Sequence, residues 1–207
     1  MEFNLLSVLD YAGVATFAAS GALMAAHKRQ DIVTFVFFAA ITGVGGGTLR
    51  DLLIGAPVFW VQDAGYVLVC TFVAIFVFFT RGRTVHGRTL LWLDAIGLCV
   101  YACVGAAKAL AAGVDPLICI VMGALTATFG GIIRDVLAGV PSILLSRELY
   151  ITPAIVSASV FIALRTLFVM DWTWASAIAV AAGFFVRGGA ILWKWHMPAF
   201  QPPKPKG

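Results

Sequence analysis

Without a single gap, this chain matches itself at an offset of 84 residues. Leu9-Asp10 aligns with Leu93-Asp94, Gly13 with Gly97, and Gly21-Ala22 with Gly105-Ala106. Further on, Asp31 aligns with Asp115, Thr42 with Thr126, Gly46-Gly47 with Gly130-Gly131, and Arg50-Asp51 with Arg134-Asp135. Leu53, Gly55 and Pro57 then meet Leu137, Gly139 and Pro141. Shared apolar composition alone does not bring Asp, Arg, Gly and Pro into one register. The chain is built from two copies of one unit.

The solvent of that unit follows from composition. Of 207 residues, 61% are hydrophobic and 12% charged, about half the charged share of an ordinary soluble domain, and mean hydropathy is +0.99. Apolar runs long enough to cross a bilayer recur along the chain, over about residues 4–26, 32–55, 65–80, 89–112, 116–139, 150–169 and 172–195. The N-terminus lacks the basic region and cleavage site of a signal peptide. The sequence therefore predicts an all-α polytopic membrane protein of seven transmembrane helices, with a single transmembrane domain over 1–196. Repeat one covers about 4–80, repeat two about 89–169, and an extra helix about 172–195. The segment 197–207, with Pro202, Pro203 and Pro205 beside lysines, reads as a disordered cytoplasmic tail. Three spans per copy make the second copy enter from the opposite side, so the halves form an inverted repeat, an arrangement common in transport proteins.

Charge placement sets orientation. Lys28, Arg29, Arg81, Arg83, Arg88, Arg147, Lys194, Lys204 and Lys206 fall on the side of the C-terminus, while the other side has Asp63, Asp115 and Asp171. The positive-inside rule puts the C-terminus in the cytoplasm and the N-terminus outside, in a bacterial inner membrane. Basic residues scattered through short loops are a topology signal and not a phosphate-tracking stripe, so no nucleic-acid partner is expected. Cys70, Cys99, Cys103 and Cys119 all fall in apolar segments with no Cys-x-x-Cys pair, and read as small buried apolar residues. His27, His86 and His196 fall in cytoplasmic loops or at a helix end, and no metal site is expected.

The chemistry concentrates in the second and fifth spans. One carries Thr42, Gly45, Gly46, Gly47, Thr48, Arg50 and Asp51; the other carries Thr126, Thr128, Gly130, Gly131, Arg134 and Asp135. Glycine clusters invite a break or kink in a helix, and in lipid a break is tolerated only inside protein or beside a wet cavity. Two such helices crossing at mid-membrane would offer carbonyls, hydroxyls and half-helix ends to an ion. The competing reading is that the glycines let helices pack closely. The charges need partners in lipid. Neighbouring residues on a helix do not face each other, so depth predicts the pairs Asp10–Arg50 and Asp94–Arg134, leaving Asp51 and Asp135 to face a cavity near opposite mouths. Lys108, whose repeat mate is Met24, reads either as snorkelling to the interface or as a gating charge at the outer mouth. Arg187 has no mate and reads as a packing, lipid or subunit contact.

In these motifs and this helix count the chain resembles the prokaryotic trimeric intracellular cation channels. The resemblance runs from about Leu5 to Trp195 and rests on Gly-Gly-Gly-x-x-Arg-Asp in one repeat and Gly-Gly-x-x-Arg-Asp in the other. It implies a homotrimer with a potassium-permeable pore in each protomer. It also implies that the second and fifth helices kink at Gly45–Gly47 and Gly130–Gly131 and line that pore with the first and fourth. Phe129 stands where a third glycine could be, so the half-pathways need not be equal. No cofactor is implied beyond transient potassium or sodium, with a bound membrane lipid left open. A secondary transporter of a small solute or ion is the alternative, since an inverted repeat serves both. No HExxH motif or Ser/His/Asp set is present, so the chain is not read as an enzyme. No TVGYG filter is present, which predicts weak discrimination between potassium and sodium.

Overall fold

A computed structural model of the chain describes residues 5–80, 87–145, 149–195 and 197. Arg81, Arg83, His86, Arg147, His196, Lys204 and Lys206, with the rest of the tail at 198–207, lie outside the described residues. The described residues form eight α-helices and one 3-10 turn: α1 (Leu5–His27), α2 (Ile32–Leu53), α3 (Phe59–Gln62), α4 (Gly65–Phe79), α5 (Gly87–Ala111), α6 (Pro116–Leu137), the turn Ile143–Leu145, α7 (Ile151–Thr166) and α8 (Trp172–Trp193). Five of them, α1, α2, α5, α6 and α8, are long and apolar enough to cross a membrane. The helices α4 and α7 are apolar but shorter, at 15 and 16 residues.

Local chemistry sets the ends, and does so twice. Asp31 caps α2 by accepting from the Thr34 N–H, and its repeat mate Asp115 caps α6 by accepting from the Leu117 N–H, with Pro116 next in line. A side-chain acceptor at that position satisfies an otherwise orphaned donor, and proline suits the first turn. The chain enters these caps through the left-handed region, at Arg29 (φ 54°) and at its mate Gly113 (φ 79°). Both helices are followed by glycines in the same left-handed region, Gly55 (φ 69°) and Gly139 (φ 61°), the usual helix-stopping geometry. Asp171 caps α8 through the Thr173 N–H.

Helices α1, α2, α5 and α6 pack on one another, α4 lies against α1 and α2, and α7 and α8 lie against α5. Small residues and aromatic rings fill the centre, among them Ala18, Ala22, Ala102, Phe17 and Tyr101. Outward faces carry large apolar side chains, including Phe72, Phe76 and Phe79 on α4, Phe37 on α2, and Trp174 and Phe185 on α8. Apolar patches of that extent mark contact with lipid or with another subunit.

Candidate ion pathway

Helices α2 and α6 run as unbroken α-helices through their glycines, so the break expected from the glycine clusters is absent and frees no half-helix ends. Close packing explains the glycines instead. A Cβ on Gly46 would collide with the Thr126 carbonyl oxygen, and a Cβ on Gly130 would lie 2.5 Å from that of Thr42. Each helix thus lays its glycine on the backbone of the other, at repeat-mate positions, as small residues allow. The pair α1 and α5 uses its glycines to seat rings instead: Gly13 receives the Tyr101 ring, and a Cβ on Gly97 would meet the Phe17 ring at 3.1 Å. Thr42, Thr126 and Thr128 are buried at the α2–α6 crossing. Thr126 donates to the Met122 carbonyl (2.6 Å) and Thr128 to that of Ala124 (2.9 Å), while the Thr42 hydroxyl has no hydrogen-bond partner among the described residues.

On the repeat-two side of the crossing lies a closed cluster. Arg134, fully buried, donates from Nη1 to Asp94 (2.7 Å) and to the Ser20 hydroxyl, and from Nε to Asp135 (2.9 Å). The second Asp135 oxygen accepts from the Ile143 N–H (3.0 Å). A Cβ on Gly131 would meet the Tyr150 hydroxyl at 2.5 Å. Arg187 of α8 donates to the Leu149 carbonyl (2.9 Å) and stands 5.5 Å from the Tyr150 ring centre, pinning this corner.

The repeat-one cluster uses the same parts differently. Arg50 donates from Nε to Asp51 (2.8 Å), and the other Asp51 oxygen accepts from the Phe59 N–H (2.9 Å), as Asp135 does from Ile143. Asp10, however, is held by Lys108 (2.6 Å) and the Tyr66 hydroxyl (3.1 Å). The Phe59 ring stands over two cations, 5.6 Å from Arg50 and 4.9 Å from Lys108, within the range of cation–π attraction. It also fills the notch at Gly47, whose Cβ would meet it at 2.5 Å. Beyond it, Tyr66 stacks on Tyr11 (4.1 Å between centres), and the Tyr11 hydroxyl donates to Asp63 (2.6 Å). That hydroxyl and the Gly65 N–H hold the Asp63 carboxyl below the usual carboxylate range.

The Asp94–Arg134 pair forms as expected. Arg50 does not pair with Asp10 but with its own neighbour Asp51, at 2.7 Å, and Arg134 likewise adds its neighbour Asp135, at 2.8 Å. Adjacent side chains leave a helix in different directions, but an arginine is long enough for its guanidinium to reach the next carboxylate, and both do so here. Asp51 and Asp135 do not face an open cavity: they are 3% and 2% exposed and serve as anchors for the segment after each helix. Lys108 does not merely snorkel, since it closes an ion pair on Asp10. Gly45 and Thr48 face outward, lining with Ile41, Val44, Trp60, Phe129 and Ile133 a lateral crevice of about 300 Å³ between α2 and α6. The Trp60 indole donates to the Thr48 hydroxyl there (2.9 Å).

Phe59, Tyr66, Tyr150 and Ser20 were missed. Tyr66 and Tyr150 are themselves a match at the 84-residue offset, so that signal was in the sequence. Phe59 aligns with Ile143, and its role gave no sequence signal.

A family model described as "Glycine transporter" matches the chain twice, over residues 7–82 and 91–166, at the same offset as the internal repeat. The UPF0126 membrane protein of Vibrio cholerae is 37% identical over 97% of this chain and 84% of its own length. The UPF0126 inner membrane protein YadS of Escherichia coli K12 is 36% identical over 93% and 94%. Among solved structures, the TRIC trimeric intracellular cation channel orthologue from Rhodobacter sphaeroides superposes with a TM-score of 0.87 at 45% identity, over 92% of this chain and 99% of that one. Matched along nearly its whole length by these proteins, and twice by the family model, the chain belongs to the prokaryotic trimeric intracellular cation channel family.

Proposed function

We propose that this protein is a cation channel, permeable to potassium, with one pathway in each protomer of a homotrimer in the bacterial inner membrane. The observation that carries the reading is the 0.87 TM-score, at 45% identity, to the trimeric intracellular cation channel orthologue of Rhodobacter sphaeroides. The geometry supports it from inside. Two helices cross on their glycines, flanked by a buried charge cluster from each repeat, and ionisable groups inside a membrane belong to pathways far more often than to scaffolds. The reciprocal contacts Gly46–Thr126 with Gly130–Thr42, and Gly13–Tyr101 with Gly97–Phe17, are what two inverted halves would make. Seven spans, α1, α2, α4, α5, α6, α7 and α8, then leave α8 as the unmatched one. The pathway runs where α1, α2, α5 and α6 meet, near Thr42, Thr126 and the two Arg-Asp pairs. Bound lipid is compatible with the lateral crevice.

The family description names glycine, which favours a second reading: a secondary transporter of a small zwitterion, using the same crossing. Recording purified protein in planar bilayers under a potassium gradient separates the two. A channel gives discrete openings with a cation-side reversal potential, weak preference for potassium over sodium, and altered openings in Asp51→Asn, which loosens the entry to α3. A transporter gives no openings and accumulates labelled glycine in liposomes under a proton or sodium gradient.

A further inference from the structure

The ion pair between the first and second helix of a repeat forms in one charge cluster and not in the other. In repeat two, Arg134 Nη1 meets Asp94 Oδ1 at 2.7 Å. The atoms at the mated positions in repeat one are Arg50 Nη1 and Asp10 Oδ1. Both residues are buried, at 1% and 2% exposure, and both atoms lack a hydrogen-bond partner among the described residues. A buried donor and a buried acceptor left open together are costly, and the fold makes the bond between their mates.

What occupies Asp10 instead is Lys108, whose mate is Met24, so the competition exists in one repeat only. Lys108 is also the member of the cluster nearest water, its side chain 29% exposed against 3% for Asp10. Beside them all is the Phe59 ring. It lies in the Gly47 notch, under Arg50 and Lys108, and nearly perpendicular to the Tyr66 ring with centres 4.6 Å apart. Tyr66 in turn bonds Asp10, so the ring is in contact with both holders of Asp10, Lys108 and Tyr66, and with Arg50 as well. The mated position, Ile143, has no ring.

We propose that Asp10 exchanges Lys108 for Arg50, and that the Phe59 ring must leave the Gly47 notch for the exchange to occur. The ring is thereby the gate at the Lys108 end of the pathway. In the state described here the ring is seated, Lys108 holds Asp10, and that end is shut. In the other state the ring rotates out while its backbone stays tied to Asp51. Asp10 then pairs with Arg50 as Asp94 does with Arg134, and Lys108 swings to water. This rests on the channel reading.

The test is single-channel recording in planar bilayers under a potassium gradient, on variants that elute as the wild type does in size-exclusion chromatography. Lys108→Met, which installs the repeat-two residue type, removes one competitor and should raise the open-to-closed ratio about tenfold, the effect of a partner lost from one of two states. Phe59→Ala should raise it too, and Phe59→Leu, which keeps most of the volume, should do so more weakly and stands in if the alanine variant misfolds. The Lys108→Met effect should vanish in an Asp10→Asn background. If Lys108→Met acts equally in both backgrounds, or the Phe59 variants gate as wild type, the exchange is wrong while the channel stands. If neither wild type nor variants conduct, the channel reading falls, and the gate with it.

Discussion

The buried arginine of each repeat motif makes sense only with its carboxylates counted, and these two arginines are not equally provided for. Arg134 has Asp94, Asp135 and the Ser20 hydroxyl; Arg50 has Asp51 and the face of a ring. Removing Arg134 leaves two carboxylates buried without a counter-charge, and removing one partner of a buried pair typically costs about 3–5 kcal/mol. Arg134→Gln is therefore expected to lower the thermal melting temperature of the detergent-solubilised protein sharply. Asp94→Asn is expected to do less, because Asp135 still neutralises the guanidinium. Tryptophan-fluorescence melting of both variants checks this, and equal losses would mean that Asp135 does not share the charge. At this scale the sequence was half legible. Charge identity and the offset of 84 named the right residues, but partner choice turns on side-chain reach over a few ångströms. Depth arithmetic placed Asp10 level with Arg50, and it could not reveal that Lys108, coming from α5, arrives first.

The helices themselves were read more accurately than the glycines within them. Apolar length fixes where a helix lies, and the mated caps Asp31 and Asp115 fix where it starts, so every long helix falls close to its expected bounds. A glycine run, in contrast, states only that a side chain is missing. Whether the helix breaks or another backbone moves in depends on the neighbour, which a single segment does not specify. Here the neighbour is the other copy of the same motif. Because Gly46 faces the Thr126 carbonyl while Gly45 meets only the tip of Ile133, at 3.0 Å, the two positions should differ sharply on substitution. Gly46→Ala must push α2 and α6 apart and should cost at least about 2 kcal/mol, within the range of overpacking a tight core. Gly45→Ala should be near neutral or slightly stabilising, since alanine suits a helix better than glycine by up to about 1 kcal/mol. Melting temperatures of the two variants decide it. Similar losses at both sites would mean that the glycines serve helix flexibility and not the crossing.

For the whole molecule, the question is which way it sits. Three spans per repeat, as proposed above, would reverse the second copy, and most charges at the ends of the described helices sort by sign on that reading. Lys28 and Arg29 follow α1, Arg88 opens α5 and Lys194 follows α8. Asp63 precedes α4, Asp115 precedes α6 and Asp171 precedes α8. Alternating passage of α1, α2, α4, α5, α6, α7 and α8 through a bilayer puts the first group on one side and the second on the other. Basic residues near span ends are retained in the cytoplasm, so the orientation we propose has the C-terminus facing inward, with Asp63, Tyr11 and Lys108 gathered at the outer face. The gate proposed at Phe59 then opens outward, while the closed Arg134 cluster lies toward the cytoplasm. Fusing a green fluorescent protein to the C-terminus should give fluorescent cells, and an alkaline phosphatase fusion at the same point should be inactive. The reverse pattern would invert the molecule and move the Lys108 end, with its gate, to the cytoplasmic side. Changing Lys28 and Arg29 to glutamine tests the cause: if these charges help set the orientation, a fraction of the fusions should change sides. If none does, the charges farther along the chain suffice to hold it.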